Sequence, residues 1–281
     1  MQSRTRRIWL CADDYGISPG VSTGIRELIA RERLNATSVM VVAPHFDANQ
    51  ASALQALNSG KKRAALGLHV TLTAPFKPLT EAFAPMHQGA FPPLATLLRR
   101  TAARRLHMDL LVHEISAQLR RFLNVFGRAP DFVDGHQHVQ LFPQIRDAFL
   151  KVTAEGAPDA WVRQCGRAAR LRRLHDQKAL TLDILSLGYR RKAKKLGIKV
   201  NRAFAGTYAF GRRAQFADLF PRFLSGLPDG GLVMCHPGFV DAELKAIDSL
   251  TDLREQEFAF FASDAFPEIM AAHSVELERP R

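Results

Sequence analysis

Short apolar runs alternate with longer segments of helical periodicity along the whole chain. The runs are rich in β-branched residues, and they predict strands at 8–12, 36–43, 64–72, 132–139, 160–165, 200–205, 231–236 and 274–277. Strands that alternate with helices predict a parallel sheet. About eight such units in 281 residues favour an α/β fold with one (β/α) barrel, regular or incomplete, over an open doubly wound sheet. We therefore expect a single domain over residues 1–281.

The segments between these runs carry helix signals. In the first of them, Ser18 is a candidate N-cap and Pro19 occupies the first helical position. Further helices are expected at 47–59, 97–126 (in two pieces), 143–155, 182–196, 214–224 and 252–272. Residues 74–96 are rich in Pro and Ala and show no clear period, so we expect a long functional loop or lid there.

The excess of positive charge lies in one segment. The net charge is +12, and residues 160–213 hold 15 Lys and Arg against 2 Asp, whereas the rest of the chain holds 24 basic and 25 acidic residues. Such a segment attracts anions such as phosphate, nucleic acid or an anionic membrane surface. A solvated helix face with a basic loop explains it equally well. Because the segment lacks interleaved aromatic residues, we do not expect nucleic acid as a partner.

The N-terminal region and the cysteines bear on the cellular compartment. Basic residues precede a five-residue apolar run that ends in Asp13 and Asp14, which is too short for a signal peptide. No apolar run reaches the ~18 residues of a spanning helix. Cys11, Cys165 and Cys235 fit neither a disulfide framework nor a zinc knuckle. We expect a cytoplasmic protein whose 160–213 segment could dock on the inner face of the membrane, and a homodimer is compatible with the sequence.

Two adjacent carboxylates, Asp13 and Asp14, directly follow the first apolar run. Such neighbours repel each other unless a cation or a proton intervenes. On extended backbone their side chains point to opposite sides, so that one can bind a metal ion while the other faces the substrate. The alternative is that one of them caps the next helix, but Ser18 already fills that role.

The strongest local signal is the sequence DFVDGHQHV at 131–139. With a strand period of two, Asp134, His136 and His138 project from the same face. Two imidazoles and a carboxylate on one face match two metal ligands, or one ligand with hydrogen-bonded support. The alternative is a hydrogen-bonded cluster with a structural role.

Two further histidines lie near the ends of apolar runs. His69 is surrounded by aliphatic residues, and taken alone it fits a hydrogen-bonded core residue better than a metal ligand. The other clusters favour ligation, because strand ends of a parallel barrel meet at one face. His236 passes into Pro237 and Gly238, which suits a general acid at a barrel mouth, with a core histidine as the alternative. The clusters together predict a hydrolase that depends on a divalent metal ion.

Four motifs occur in order at suitable spacings, namely ADDYG at 12–16, GLHVTLT at 67–73, DGHQHV at 134–139 and MCHPG at 234–238. Together they resemble the YdjC-like carbohydrate deacetylases, which include chitooligosaccharide deacetylases and hopanoid-biosynthesis-associated (HpnK-type) deacetylases. The resemblance covers residues 8–277. It implies a (β/α)-barrel-like fold and metal-dependent removal of an acetyl group from an N-acetylated sugar, either a chito-oligosaccharide or an N-acetylglucosaminyl glycolipid.

The resemblance also implies the principal site residues. Asp14, His69 and His136 match the ligands of one divalent ion, which the ligand types allow to be zinc or magnesium. Asp13 matches the general base, and His236 matches the general acid.

Other positions are expected to support these residues. Arg163 is expected to orient Asp13, while Asp134 and His138 are expected in a surrounding shell or at the substrate. Tyr15 stands where the family usually has Phe, and it is expected to add a hydroxyl near the site. Gln140 stands where another His is common, which alters hydrogen bonding around the site.

Two alternatives to a deacetylase remain. One keeps the metal ion but changes the bond that is cleaved, as in a phosphoesterase or another amidohydrolase. The other is a basic nucleic-acid-binding module in which the carboxylate and histidine clusters are structural.

Overall fold

All strands of the sheet are parallel, so their carboxyl ends lie on one side. The computed structural model describes residues 4–58, 64–81, 83, 88–168, 177–208 and 215–278. The strands among them are β1 (Arg6–Tyr15), β2 (Ala36–Val39), β3 (Ala65–Val70), β4 (Phe132–Gly135), β5 (Trp161–Val162), β6 (Phe204–Ala205), β7 (Gly231–Cys235) and β8 (Val275–Leu277). Their order is β5-β4-β3-β2-β1-β7-β6, and β8 pairs with the beginning of β1. The predicted parallel sheet is confirmed.

The two edges of this sheet come together. Val162 forms an isolated parallel bridge with Val200, and the amide of Phe204 donates to the carbonyl of Gly166 at 3.0 Å. The sheet therefore curls into a barrel-like shape whose seam between β5 and β6 is held by few hydrogen bonds. This confirms the expected irregular (β/α) barrel.

The helices follow the strands in alternation, as predicted. Ser18 caps the first helix, because its Oγ accepts the amide of Val21 at 3.3 Å. The fourth helix ends at Gly127, whose φ of 63° is the left-handed conformation that favours glycine. The helices are α1 (Pro19–Ala30), α2 (Ala48–Ala56), α3 (Leu94–Ala102), α4 (Met108–Phe126), α5 (Ile145–Gly156), α6 (Gln177–Lys195), α7 (Phe216–Leu224), α8 (Ala242–Ile247), α9 (Asp252–Ala262) and α10 (Ala265–Ala272).

The packing of β3 against β4 fixes part of the later site. A Cβ at Gly67 would lie 2.3 Å from the ring of Phe132, so only glycine lets this ring cross β3. The Phe132 ring also stacks on Trp161 at a centroid distance of 4.5 Å. The resulting register pairs His69 with Asp134.

The prediction of an extended strand over 132–139 is wrong beyond Gly135. Residues His136–Leu141 form a short 3₁₀ turn, in which Gln137 and His138 have φ values of 54° and 60°. The sequence FVDGHQHV at 132–139 does not show where the strand ends, because a turn buried next to a strand can carry the same kinds of residue. His136 and His138 therefore do not share a strand face.

Other predicted bounds shift by a few residues. The strand predicted at 36–43 ends at Val39, and the regions 160–165 and 200–205 contain only the two-residue strands β5 and β6. The segment 252–272 is two helices, α8 was not predicted, and the helix expected at 182–196 begins at Gln177. The loop expected at 74–96 ends before Leu94, where α3 begins. Residues 82 and 84–87 of the predicted loop and residues 169–176 and 209–213 of the basic segment lie outside the described residues, as does residue 214, where the helix at 214–224 was expected to begin. No helix in the described part of the chain has both the length and the apolar character needed to cross a bilayer.

Candidate metal site at the carboxyl ends of the strands

The polar residues singled out by the sequence lie at the carboxyl ends of four strands. Asp13 and Asp14 lie near the end of β1, and His69 is the last residue but one of β3. His136 and His236 directly follow β4 and β7. Because the strands are parallel, these positions share one end of the sheet.

Asp13 and Asp14 do not lie on regular extended backbone, contrary to our expectation. Asp14 has a φ of 68°, and the pairing of β1 with β2 shifts register between Ala12 and Tyr15. This irregularity is a bulge of the kind found beside active sites, where it re-aims a side chain. The two carboxylates consequently meet different partners.

Asp14, His69 and His136 form a compact group. Asp14 Oδ1 lies 3.3 Å from His69 Nε2 and 3.1 Å from His136 Nδ1, and one ligand atom from each residue lies within 4.8 Å of the others. Asp14 and His69 are buried, while His136 is partly exposed. One carboxylate oxygen and two imidazole nitrogens at this spacing can hold a single divalent ion.

His69 is held in one orientation by its other ring nitrogen. His69 Nδ1 lies 2.6 Å from Asp134 Oδ1 and 3.0 Å from Ser38 Oγ, so Nδ1 is engaged there and Nε2 faces Asp14. Burial alone would lower the pKa of His69, but the Asp134 carboxylate raises it to about 10. A carboxylate behind a histidine is the usual support for an imidazole that ligates a metal ion.

Asp13 is paired with a buried guanidinium. Arg163 Nη1 and Nη2 each donate to one carboxylate oxygen of Asp13 at 2.6 Å, and Nη2 also lies 2.5 Å from Asp134 Oδ2. Burial would raise the pKa of Asp13, but Arg163 holds that pKa well below its ordinary value. Arg163 itself is completely buried. The bidentate pair therefore fixes both the charge and the orientation of the Asp13 carboxylate.

A second group of acidic and sulfur ligands lies next to the first. Cys11, Asp13 and Asp134 also place ligand atoms within 4.8 Å of one another. Arg163 Nη2 contacts all three of them, with Cys11 Sγ at 3.1 Å. Since this guanidinium already supplies the positive charge, the second group does not need a metal ion.

This arrangement of motifs is matched by a known family. The sequence model of the YdjC-like protein family matches residues 7–272. The chain belongs to the YdjC-like family. A chitooligosaccharide deacetylase of Citrobacter koseri is 30% identical to it over 234 residues, covering 82% of this chain and 81% of the relative. The Serratia marcescens protein of the same name is 30% identical over 248 residues, covering 83% and 82%.

Solved structures support the fold of this YdjC-like chain. A protein from Enterococcus faecalis, provisionally named for cellobiose-phosphate cleavage, aligns with a TM-score of 0.75 at 18% identity over 98% of this chain and 97% of that one. A family 4 carbohydrate esterase from Streptomyces lividans aligns with a TM-score of 0.50 at 10% identity over 98% and 93%. At these identities, the likeness concerns the fold alone.

Arg254, which was not predicted from the sequence, contacts the candidate ligand Asp14 in this YdjC-like chain. Arg254 Nη2 lies 2.7 Å from Asp14 Oδ2 and 2.7 Å from Asp248 Oδ2. Burial would raise the pKa of Asp14, but Arg254 and then His136 lower it well below its ordinary value. One oxygen of Asp14 thus faces the two histidines while the other is held by Arg254.

His236 lies close enough to Asp13 and Asp14 for both carboxylates to act on its charge. Burial lowers the pKa of His236 to about 4, although the charges of Asp14 and Asp13 act in the opposite direction. The backbone amide of His236 donates to Glu257 Oε2 at 2.5 Å, and burial raises the pKa of Glu257 to about 7. The resting imidazole of His236 is therefore neutral at pH 7.

Arg254 and Glu257 do carry a sequence signal. Both occupy the buried face of α9 together with Leu253, Phe260 and Phe261. Charged residues at positions where the helical period requires apolar ones need partners, and here these partners are Asp14 and the backbone of His236.

His138, Tyr15 and Gln140 make their contacts elsewhere. His138 Nδ1 lies 3.5 Å from Cys165 Sγ, and its ring meets Phe204 edge-on. The Tyr15 hydroxyl donates to the Gln50 carbonyl at 2.6 Å and accepts from Arg26. Gln140 Nε2 donates to the Arg163 carbonyl at 3.2 Å. Of these three residues, Gln140 is linked most directly to the candidate site, because it bonds to the backbone of Arg163, which pairs with Asp13.

The described part of the 74–96 loop borders the site. The Phe76 ring meets the His136 ring edge-on at 5.8 Å. The amides of Leu79 and Thr80 donate to the buried carboxylate of Glu114 in α4, at 3.1 and 2.9 Å. These bonds tie the loop to α4 beside His136. That the loop acts as a lid stays a prediction.

Proposed function

We propose that the protein is a metal-dependent carbohydrate N-deacetylase. The group of Asp14, His69 and His136 carries this proposal, because His69 is backed by Asp134 and the group lies beside an Asp13 held by Arg163. Membership in the YdjC-like family and relatives named chitooligosaccharide deacetylases support the choice of reaction. The substrate we propose is an N-acetylated sugar, such as a chito-oligosaccharide or an N-acetylglucosaminyl glycolipid.

The side chains present fit one divalent cation. Asp14 offers Oδ1, and His69 offers Nε2 because its Nδ1 is engaged by Asp134. His136 completes the set. Two imidazoles favour zinc or another transition metal, and the carboxylate also admits magnesium. When bound, such an ion polarises the amide carbonyl and lowers the pKa of a water molecule.

We assign the proton transfers to Asp13 and His236. Arg163 depresses the pKa of Asp13, so Asp13 is ionised and can accept the proton of the attacking water, while the same pairing lowers its basicity. His236 then delivers a proton to the leaving nitrogen. Since its pKa of about 4 makes it neutral at rest, it must first take up a proton within the site. Attack of water releases one proton and expulsion of the amine consumes one, so the cycle balances.

The raised pKa of His69 predicts how metal binding depends on pH. In the metal-free protein, the His69 pKa of about 10 means that the imidazole carries a proton at neutral pH. An ion that binds Nε2 must displace this proton, so apparent affinity should rise about tenfold per pH unit between about pH 6 and pH 9. Calorimetric titration in buffers of different ionisation enthalpy measures the protons released. Affinity that does not change with pH, with no proton released, would contradict the assignment of His69.

Replacing Asp134 with asparagine should weaken metal binding without removing a ligand. The variant loses the negative charge behind His69 Nδ1, and loss of such support typically costs about 10- to 100-fold in metal affinity. Competition with a chromophoric chelator, measured over a range of pH and corrected for the proton that His69 carries, provides the measurement, because the Asp134 charge also strengthens proton binding at His69. Ser38→Ala is the matched control, because Ser38 Oγ lies near the same nitrogen but carries no charge, so its effect should be much smaller. Equal effects in the two variants would show that the Asp134 charge does not support His69.

The proposed reaction is tested by acetate release from N,N′-diacetylchitobiose. Metal-loaded wild-type protein should release acetate, and Asp13→Asn should lower the rate by on the order of 10³-fold, because an amide cannot accept the water's proton. Simple phosphate esters and unrelated amides serve as competing substrates. Hydrolysis of those compounds without hydrolysis of the acetylated sugar rejects the deacetylase. Hydrolysis of none of the substrates rejects it as well.

A further inference from the structure

Helix α6 exposes a stripe of aliphatic side chains. Leu180, Ile184 and Leu187 are 39%, 60% and 42% exposed, and their spacing places them on one helix face. The opposite face of α6 is buried against the rest of the protein through Leu182, Ser186, Tyr189 and Ala193. The stripe therefore does not belong to the core, and large aliphatic residues grouped in this way mark an interaction surface.

The same face of α6 continues into basic residues. Arg191, Lys194 and Lys195 are exposed and follow the aliphatic stripe toward the end of the helix. The acidic residue of this helix, Asp183, is buried and paired with Arg167 at 2.8 Å. Within the described ranges, none of the three cations has an acidic side chain at ion-pair distance.

Helix α6 lies at the end of the sheet that carries the candidate metal site. The amide of Cys165, two residues after Arg163, donates to Ser186 Oγ at 3.1 Å. The helix also packs against the turn His136–Leu141, which begins with the candidate ligand His136. A partner bound to the exposed face of α6 would therefore be separated from the strand ends by the helix itself, which is about 10 Å across.

We propose that the exposed face of α6 docks on an anionic lipid surface. Aliphatic side chains can enter the boundary between headgroups and acyl chains while neighbouring cations meet acidic headgroups. The occupant is chosen by charge, because Arg191, Lys194 and Lys195 need anionic partners and a second copy of this face offers none, since Asp183 of this helix is buried and paired with Arg167. Docking would place the site near lipid-borne sugars. That last step rests on the proposed function, whereas the docking surface does not.

Vesicle sedimentation with the full-length protein tests the surface. The vesicles are phosphatidylcholine alone, or phosphatidylcholine with an equal amount of phosphatidylglycerol, and only the second kind should bind the wild type. The triple variant Arg191→Gln, Lys194→Gln, Lys195→Gln should bind about a hundredfold more weakly, at about fivefold per charge. The variant Leu180→Gln, Ile184→Gln, Leu187→Gln should lose the binding that persists at high salt.

A charge-matched control separates docking from general electrostatic attraction. Arg104, Arg105 and Lys151 are exposed outside α6, and changing all three to Gln removes the same charge. This control should bind as the wild type does, and loss equal to that of the α6 variant overturns the proposal. A wild type that does not bind the anionic vesicles also overturns the proposal. So does self-association of the wild type in sedimentation equilibrium that disappears in the variant with Gln at the three aliphatic positions. Acetate release from the soluble sugar is measured in parallel, so a wild type that docks but does not deacetylate rejects the proposed function alone.

Discussion

Replacing Asp14 with alanine is expected to lower acetate release by about 10⁴-fold or more, because the variant loses both the polarised carbonyl and the activated water. Asp14 is the member of the group that lies between both histidines, at 3.3 Å from His69 and 3.1 Å from His136. It is also the one whose second oxygen is held by Arg254. Steady-state kinetics at saturating metal concentration give the measurement.

The control for this variant removes a carboxylate elsewhere. Asp218 is exposed in the first turn of α7, and Asp218→Ala should retain wild-type rates. Unfolding curves show whether Asp14→Ala is folded, since Arg254 keeps Asp248 as a partner in this variant. A folded Asp14→Ala protein with a rate within tenfold of the wild type would show that Asp14 is not a ligand of the catalytic ion.

Replacing Arg163 with methionine is expected to destabilise the fold by about 3–5 kcal/mol, which is typical when one partner of a buried ion pair is removed. Arg163 is completely buried between Asp13 and Asp134, which are themselves at most 3% exposed. Methionine fills similar space but leaves Asp13 without its guanidinium partner and Asp134 with His69 as its remaining partner. Equilibrium unfolding in urea, on metal-free protein, measures the loss.

Lysine at position 163 separates charge from geometry. Arg163→Lys keeps the positive charge, so it should recover part of the stability lost in Arg163→Met. It cannot form the two parallel bonds that Arg163 makes with Asp13, so deacetylation should stay impaired. Loss of less than about 1 kcal/mol in the methionine variant would place Arg163 in the range of an exposed ion pair and contradict the buried cluster.

Much of the fold follows from local patterns. Apolar runs that alternate with helical periods predicted the parallel sheet, and Ser18 and Pro19 predicted the start of α1. These patterns involve residues that are close together in the sequence, so they can be recognised without knowledge of the fold. The extent of each strand does not follow in the same way. After Gly135 the backbone turns, although the spacing of His136 and His138 fits the strand period, and this turn packs against α5 and α6.

The candidate site was likewise predictable only in part. Motifs at strand ends predicted that these carboxylates and histidines would meet at one face, because parallel strands bring their ends together. The choice of Asp14, His69 and His136 as the ligands came from the family resemblance. The contacts of Arg254 with Asp14 join residues 240 positions apart, and those of Arg163 with Asp13 join residues 150 apart. No spacing rule predicts such pairs from one sequence: the contact of Arg163 with Asp13 was expected only from the family resemblance, and the contact of Arg254 with Asp14 was not expected. The neutral state of His236 likewise follows from burial, which requires the folded structure.

Metal analysis of purified protein tests the central claim most directly. After growth in metal-replete medium, the wild type and Asp13→Asn should each contain about one divalent ion per chain, because Asp13 is paired with Arg163 and is not among the proposed ligands. Asp14→Ala should contain none. Equal metal content in Asp14→Ala and the wild type, or no metal in the wild type, would contradict a metal site formed by Asp14, His69 and His136.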